Sequence, residues 1–226
     1  MQKLELISHP LCPFNQRLII TLLMKGKKRD HDFSVKYFDL ANIPEWFKTL
    51  SPRGEMPVLT IDDQKSLFNT NPINEFLNEH SSGDLHSDNI VEKAEDRYWV
   101  EYSGEILNLL KGIFTSNQVD LFDQSVHQLF DLFEPIEKHL DQRSSYWRNQ
   151  HHTLVDGAFI PVFTLMFHFD YFKNHSKWNS YQNTLYWAKR LLSTPLTENS
   201  KCVNFNQEFE HFFSFTNSSF KEFTKK

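Results

Sequence analysis

The sequence predicts an α/β region of about 80 residues followed by an all-helical remainder. Three observations carry this. Apolar patterning before residue 80 runs in the order β-α-β-α-β-β-α. A polar, glycine-containing break follows at Ser81-Ser82-Gly83-Asp84. Beyond the break the apolar patterns are long and helical, and none reads as a strand. The expected organisation is a first domain over 1–80, a linker over 81–88 and a helical domain over 89–226.

The elements follow in order. Lys3 to Ser8 (KLELIS) is a strand candidate, and His9-Pro10-Leu11-Cys12-Pro13 then interrupts the chain. Leu18, Ile19, Leu22 and Leu23 give Phe14 to Lys25 a helical apolar pattern, and Gly26 stands where a helix-ending glycine belongs. Asp32 to Leu40 alternates as a second strand. Pro44 to Leu50 reads as a short helix with Pro44 in its first turn. After the loop Ser51 to Pro57, Val58 to Ile61 is a strand, Asp62 to Lys65 a turn, and Ser66 to Asn69 a fourth strand. Thr70 can cap a helix running through Pro72, Ile73, Phe76, Leu77 and His80. Long helical patterns then cover Ile90 to Leu110, Leu121 to Leu140, Thr153 to Phe172 and Tyr181 to Leu192. From Phe205 onward, Phe209, Phe212, Phe213, Phe215, Phe220 and Phe223 alternate with polar residues, as a last helix or a partly ordered tail.

Composition narrows the function. The net charge of −5 and the lack of a basic stripe argue against nucleic-acid binding. No stretch approaches the ~20 apolar residues of a membrane span, and the N-terminus is too short and interrupted for a signal peptide. A cytoplasmic protein is expected. Two cysteines, Cys12 and Cys202, make no disulfide framework and are expected as free thiols. No H-E-x-x-H, paired Cys/His spacing, G-x-S-x-G, P-loop or dinucleotide fingerprint is present, so no metal is expected.

Three features can carry chemistry. Cys12, at the start of a helix, faces unpaired backbone N–H groups and the positive end of the helix dipole, which favour a thiolate. Arg17 lies one turn on, and His9 is close enough in sequence to influence the thiol. The alternative is a buried, inert cysteine. Met56-Pro57 precedes a strand; a cis bond there turns the Met56 N–H and C=O outward to pair with an extended peptide, whereas a trans proline simply starts an edge strand. Asn69-Thr70 offers free N–H groups and a hydroxyl to a carboxylate, or serves as an ordinary cap.

Together these motifs resemble the cytosolic glutathione transferase superfamily, in particular its cysteine-type, omega-like and bacterial members. The segments are Cys12-Pro-Phe-Asn-Gln-Arg17, Ile43-Pro-Glu-Trp-Phe47, Ser51-Pro-Arg-Gly-Glu-Met-Pro-Val-Leu59 and Leu67-Phe-Asn-Thr-Asn-Pro-Ile73. Thr153-Leu-Val-Asp156 followed by Pro161 resembles the family's helix-capping box, with Thr153 capping and Asp156 bonding back. Trp187, Arg190, Leu191 and Pro195 look like its penultimate helix and exit, so the resemblance runs from residue 3 to about 200.

The resemblance implies a thioredoxin-like N-terminal domain that binds glutathione and an all-α C-terminal domain that holds an electrophile. It implies a homodimer as well. It assigns Cys12 as the catalytic residue, with Phe14, Met56, Pro57, Asn69 and Thr70 on glutathione. Cys12 would form a mixed disulfide that a second glutathione resolves. No second cysteine stands at the C-x-x-C position, since Asn15 and Gln16 follow Phe14, so the resemblance implies a monothiol route: thiol transfer, dehydroascorbate reduction or deglutathionylation. Arg97, Tyr98, Trp99 and Tyr102 are expected either on the second-substrate pocket or in ordinary core packing.

Two departures stand out. Asn69 replaces an acidic residue that pairs with the glutathione amino group, and Ile43 replaces a lysine that pairs with its glycine carboxylate. Each lost charge-assisted bond is worth roughly 1.5–3 kcal/mol. Arg53 is near enough in sequence to substitute. A glutathione-dependent thiol transferase or reductase is therefore the leading expectation. A non-catalytic binding or regulatory member of the family, or an enzyme that conjugates electrophiles, are the alternatives.

Overall fold

The computed structural model describes residues 2–140, 145–148, 151–216 and 218–220. Apolar residues spaced by two build a four-stranded sheet in the order β2-β1-β3-β4 from β1 (Leu4–Ser8), β2 (Ser34–Tyr37), β3 (Val58–Ile61) and β4 (Lys65–Leu67). β1 pairs parallel to β2 and antiparallel to β3, and β4 closes antiparallel on β3. Alternation sorts the side chains into two faces. Leu4, Leu6, Leu59 and Ile61 pack with Leu18, Ile19 and Leu22 of α1 (Pro13–Met24) and with Ile73 and Leu77 of α3 (Thr70–Glu79). Ile7 and Val58 point the other way, onto Phe38 and onto Phe47 of α2 (Glu45–Leu50).

Local chemistry sets the ends of these elements. Cys12 is the N-cap of α1, with Pro13 in the first helical position. Gly26, at φ +72°, ends that helix and donates its N–H to the Leu23 carbonyl at 2.9 Å. Pro44 stands at the N-cap of α2, one place before the first turn in which it was expected. The expected Thr70 cap is corrected. Asn69 caps α3, its side chain accepting from the Asn71 N–H at 3.1 Å, and Thr70 is the first helical residue. The cap lies at φ +65°, a conformation that Asn tolerates and β-branched Thr does not.

The helical region is built on α4 (Ile90–Thr115) and α7 (Leu154–His168). α4 starts at an Asn89 cap and runs five residues past its expected end at Leu110. The single helix expected over Leu121 to Leu140 is two, α5 (Phe122–Asp131) and α6 (Glu134–His139). Pro135 explains the break, because it lacks an N–H and is tolerated only in a helix's first turn. The Thr153 to Phe172 pattern likewise splits into α7 and α8 (Asp170–Lys173). At the break Phe169 is extended (φ −105°, ψ 126°), and its ring joins Phe114, Phe209 and Phe220. α9 (Gln182–Leu192), α10 (Pro195–Ser200) and α11 (Phe205–Phe215) complete the order. The phenylalanine-rich end is thus a helix up to Phe215, with Phe220 buried beyond it; Phe223 lies outside the described residues.

α1 is shared between the two halves. One side covers the sheet, and the other lies on α7 at Gly157, where a β-carbon would stand 2.8 Å from Met24 Cε and 3.3 Å from Ile20 Cγ2. This close approach fixes the Met24 end of α1 against the helical region. Thr153 and Asp156 form a capping box at the start of α7, and the Asp156 carboxylate also accepts from Trp147 N and Trp187 Nε1, each at 2.9 Å. Among the described residues no helix is long and apolar enough to cross a membrane.

Candidate active site

Cys12 ends the turn after β1, its N–H donating to the His9 carbonyl at 3.2 Å, and its side chain lies at the first turn of α1. The thiol is buried, at 4% exposure. Burial pushes its pKa above the ordinary value; the Ser8 hydroxyl, the Asn15 and Phe14 N–H groups and, more weakly, Lys111 pull the other way. Burial prevails, so the resting group is a thiol. The helix start favours the thiolate, and desolvation, the larger effect, opposes it. The Ser8 hydroxyl is buried and lies beside the sulfur.

The neighbouring basic groups have distinct roles. Burial, aided by Lys111, pushes His9 down to about 4, so it is neutral at pH 7 and supplies no positive charge. Arg17 is buried and turned away from the cleft. Its guanidinium donates to Asn71 Oδ1 at 3.1 Å and to Ser103 Oγ at 2.7 Å, and it stands 5.4 Å from the Phe14 ring centre. Asn71 donates in turn to Glu101, so a charged network joins α1, α3 and α4 behind the thiol.

Cys12 opens on a cavity of about 490 Å³ between the sheet region and the helices. Phe14, Gly54 and Met56 line it on one side; Leu107, Lys111, Phe114, Phe209, Phe212 and Phe215 line it on the other. The volume lies within the range of small-molecule sites. Lys111 is the one Lys or Arg among the described residues on its wall. The Met56–Pro57 bond is cis. Asn69, exposed, and Thr70, partly buried, lie off this cavity, and the Thr70 hydroxyl has no hydrogen-bond partner among the described residues. Arg53 pairs with Glu55 at 3.0 Å, and Ile43 is exposed near Trp46 of α2, whose ring carries Lys36 Nζ at 4.0 Å.

The expected second-substrate residues are elsewhere. Arg97 pairs with Glu75 at 3.0 Å, Tyr98 is exposed, Trp99 packs edge-on against Trp147, and the Tyr102 hydroxyl donates to the Leu132 carbonyl at 2.8 Å. They occupy the first half of α4, while the cavity meets the second half from Leu107 to Thr115. The sequence reading stopped this helix at Leu110 and so missed Lys111, Phe114 and Thr115. Their signal was the i, i+4 spacing of Leu107, Lys111 and Thr115 on one face. Ser8, also missed, carries no signal beyond ending the strand that leads to Cys12.

Known proteins share this architecture. Residues 11–80 match the family described as "Glutathione S-transferase, N-terminal domain". The chain is 26% identical over 200 residues to "Glutathione S-transferase DHAR2" of Arabidopsis thaliana, covering 84% of each protein. It is 26% identical over 163 residues to "Glutathione S-transferase omega-1" of Mus musculus, covering 71% of this chain and 66% of that one. A rice glutathione transferase (OsGSTU1), solved in complex with glutathione, superposes with a TM-score of 0.77 at 16% identity, over 94% of this chain and 95% of that one.

Proposed function

This chain belongs to the glutathione transferase superfamily, and on that premise we propose that it is a glutathione-dependent thiol transferase or reductase with Cys12 as its nucleophile. The observation that carries the reading is Cys12 itself: the N-cap thiol of α1, aimed into a ligand-sized cavity whose wall includes Met56 beside the cis-proline. Glutathione would pair its cysteinyl backbone with Met56, lie against Phe14 and Pro57, and set its γ-glutamyl carboxylate on the Thr70 hydroxyl and the N–H groups that open α3.

The chemistry is disulfide exchange. Cys12, deprotonated, attacks the glutathionyl sulfur of a mixed disulfide; that disulfide bond breaks, and the other thiol leaves as thiolate and takes up a proton. A second glutathione then attacks the Cys12 adduct, releasing glutathione disulfide and the reduced cysteine. Ser8, Asn15, Phe14 and Lys111 each stabilise the thiolate that both steps need. The substrate's apolar body is held by Phe114, Phe209, Phe212 and Phe215, and Lys111 favours an anionic group on it. Conjugation is the weaker reading, because Cys12 competes for the position from which glutathione would attack.

The test is intact mass after incubation with glutathione disulfide, with disulfide-exchange turnover measured alongside. Cys12 engaged in a disulfide, as its glutathione adduct or as a disulfide formed from that adduct, and turnover lost in Cys12→Ser, are expected. Unchanged turnover in Cys12→Ser, or Cys12 left as a free thiol, overturns the reading. Phe212→Ala is expected to raise KM for an apolar disulfide several-fold, in line with the loss of one buried aromatic contact, while Tyr98→Ala leaves it unchanged.

A further inference from the structure

The chain has two cysteines, and the fold brings them to one place. Cys202 lies between α10 and α11, far from Cys12 in sequence, yet both residues line a single narrow crevice together with Asn15, Gln16, Tyr37 and Phe205. Both are free and buried. Three contacts hold the crevice together. Gln16 Nε2, one turn past Cys12, donates to Ser200 Oγ at 3.1 Å, two residues before Cys202. Arg29 donates to the Lys201 carbonyl at 3.3 Å and stands 5.6 Å from the Tyr37 ring centre. Tyr37 is within electrostatic reach of both sulfurs.

We propose that Cys202 is the resolving thiol of the Cys12 reaction, converting a Cys12–glutathione disulfide into an internal Cys12–Cys202 disulfide. The inference rests on the reading that Cys12 takes up glutathione. In the step, the Cys202 thiolate attacks Cys12 Sγ. The Cys12–glutathione S–S bond breaks, the Cys12–Cys202 bond forms, and glutathione leaves as a thiolate that takes the proton Cys202 gave up. The glutathionyl sulfur is reduced and Cys202 is oxidised, so the electrons balance. Two further glutathione molecules return both cysteines to thiols and leave as glutathione disulfide.

Magnitudes permit the internal route. Burial and Glu208 push the Cys202 thiol up to about 11, so at pH 7 roughly one molecule in 10⁴ is ionised. Glutathione at about 1 mM, with an ordinary thiol pKa near 8.5, supplies roughly 3 × 10⁻⁵ M thiolate. Cys202 matches this once its effective molarity reaches about 0.3 M, far below the 10⁵–10⁸ M of well-oriented intramolecular reactions. That margin leaves room for the movement that bond formation requires, since a disulfide needs its Cα atoms within about 7 Å. The segment that moves is Lys201–Asn204, which lies outside α10 and α11.

The test treats the full chain with one equivalent of glutathione disulfide, quenches with acid, and maps disulfide-linked peptides by mass. Wild type is expected to yield a linked Cys12–Cys202 peptide pair, with little glutathione adduct. Cys202→Ser is expected to retain the Cys12 adduct at roughly tenfold higher occupancy. A persistent Cys12 adduct in wild type, with no linked pair, overturns the resolving role and leaves the proposed function standing. No adduct on Cys12 in either protein overturns both. The wild-type linked pair is read without any variant, so a folding defect in Cys202→Ser does not decide the result.

Discussion

His211 Nε2 lies 3.1 Å from Asp39 Oδ1, tying α11 to the segment that follows β2. The contact stands beside the Cys12 cleft, because Phe212 and Phe215 on the same helix line the cavity wall. Loosening it should make Cys12 easier to reach. His211→Ala is expected to speed alkylation of Cys12 by a maleimide a few-fold, the size expected for one exposed hydrogen bond. Equal rates in both proteins would show that α11 does not restrict access.

The Cys12 ionisation gives a second expectation. Burial raises the thiol's pKa, while Ser8 and Lys111 lower it. The rate of alkylation of the free protein is therefore expected to climb with pH through a midpoint above the ordinary thiol value. Lys111→Met removes a positive charge and should move that midpoint higher; Ser8→Ala, removing a hydrogen-bond donor, should do the same by a larger step. A midpoint that stays put in both variants would mean that neither group reaches the sulfur.

Much of the α/β half was legible in the sequence because its signals are local. Alternating apolar residues in β1 and β3, Gly26 after α1 and Pro13 in its first turn each act within a few residues. The Asn69 cap was misread by one position, since Asn and Thr both cap helices and only backbone φ separates them here. The cavity wall was harder to read. Lys111, at i+4 from Leu107, reads as a solvent-facing residue until α11 is known to fold back across it. The crevice joining Cys12 to Cys202 depends on the packing of α10 against α1, a contact between distant segments that no periodicity announces.

Asn69 also bears on glutathione affinity. Its position, at φ +65° before the first turn of α3, suits Asn and Asp alike. An aspartate there keeps the cap, since its carboxylate accepts from the Asn71 N–H as Asn69 does. It also adds a negative charge beside the proposed γ-glutamyl amino group. Asn69→Asp is expected to tighten glutathione binding about tenfold by calorimetry, the value of one charge-assisted bond near 1.4 kcal/mol. No change in affinity would place the amino group elsewhere.

The Asp156 carboxyl joins three segments. It accepts from Thr153 N at 2.8 Å and from Thr153 Oγ1, Trp147 N and Trp187 Nε1 at 2.9 Å each. All four are donors, and the group is fully buried. Asp156→Ala leaves them unpaired and is expected to cost about 3–5 kcal/mol of stability. Asp156→Asn puts an amide donor against donors and should cost less than alanine but more than 1 kcal/mol. Burial pushes the carboxyl up to about 6, against 3.8 for an ordinary aspartate. The folded chain therefore binds the proton more tightly than the unfolded one. Its contribution is full below about 4 and is lost as pH rises through about 6. In urea unfolding between pH 4 and 6, the wild type should lose stability relative to Asp156→Asn as pH rises, because the variant has nothing to titrate there. A constant difference between the two across that window would mean that the four hydrogen bonds outweigh burial and hold the group ionised throughout.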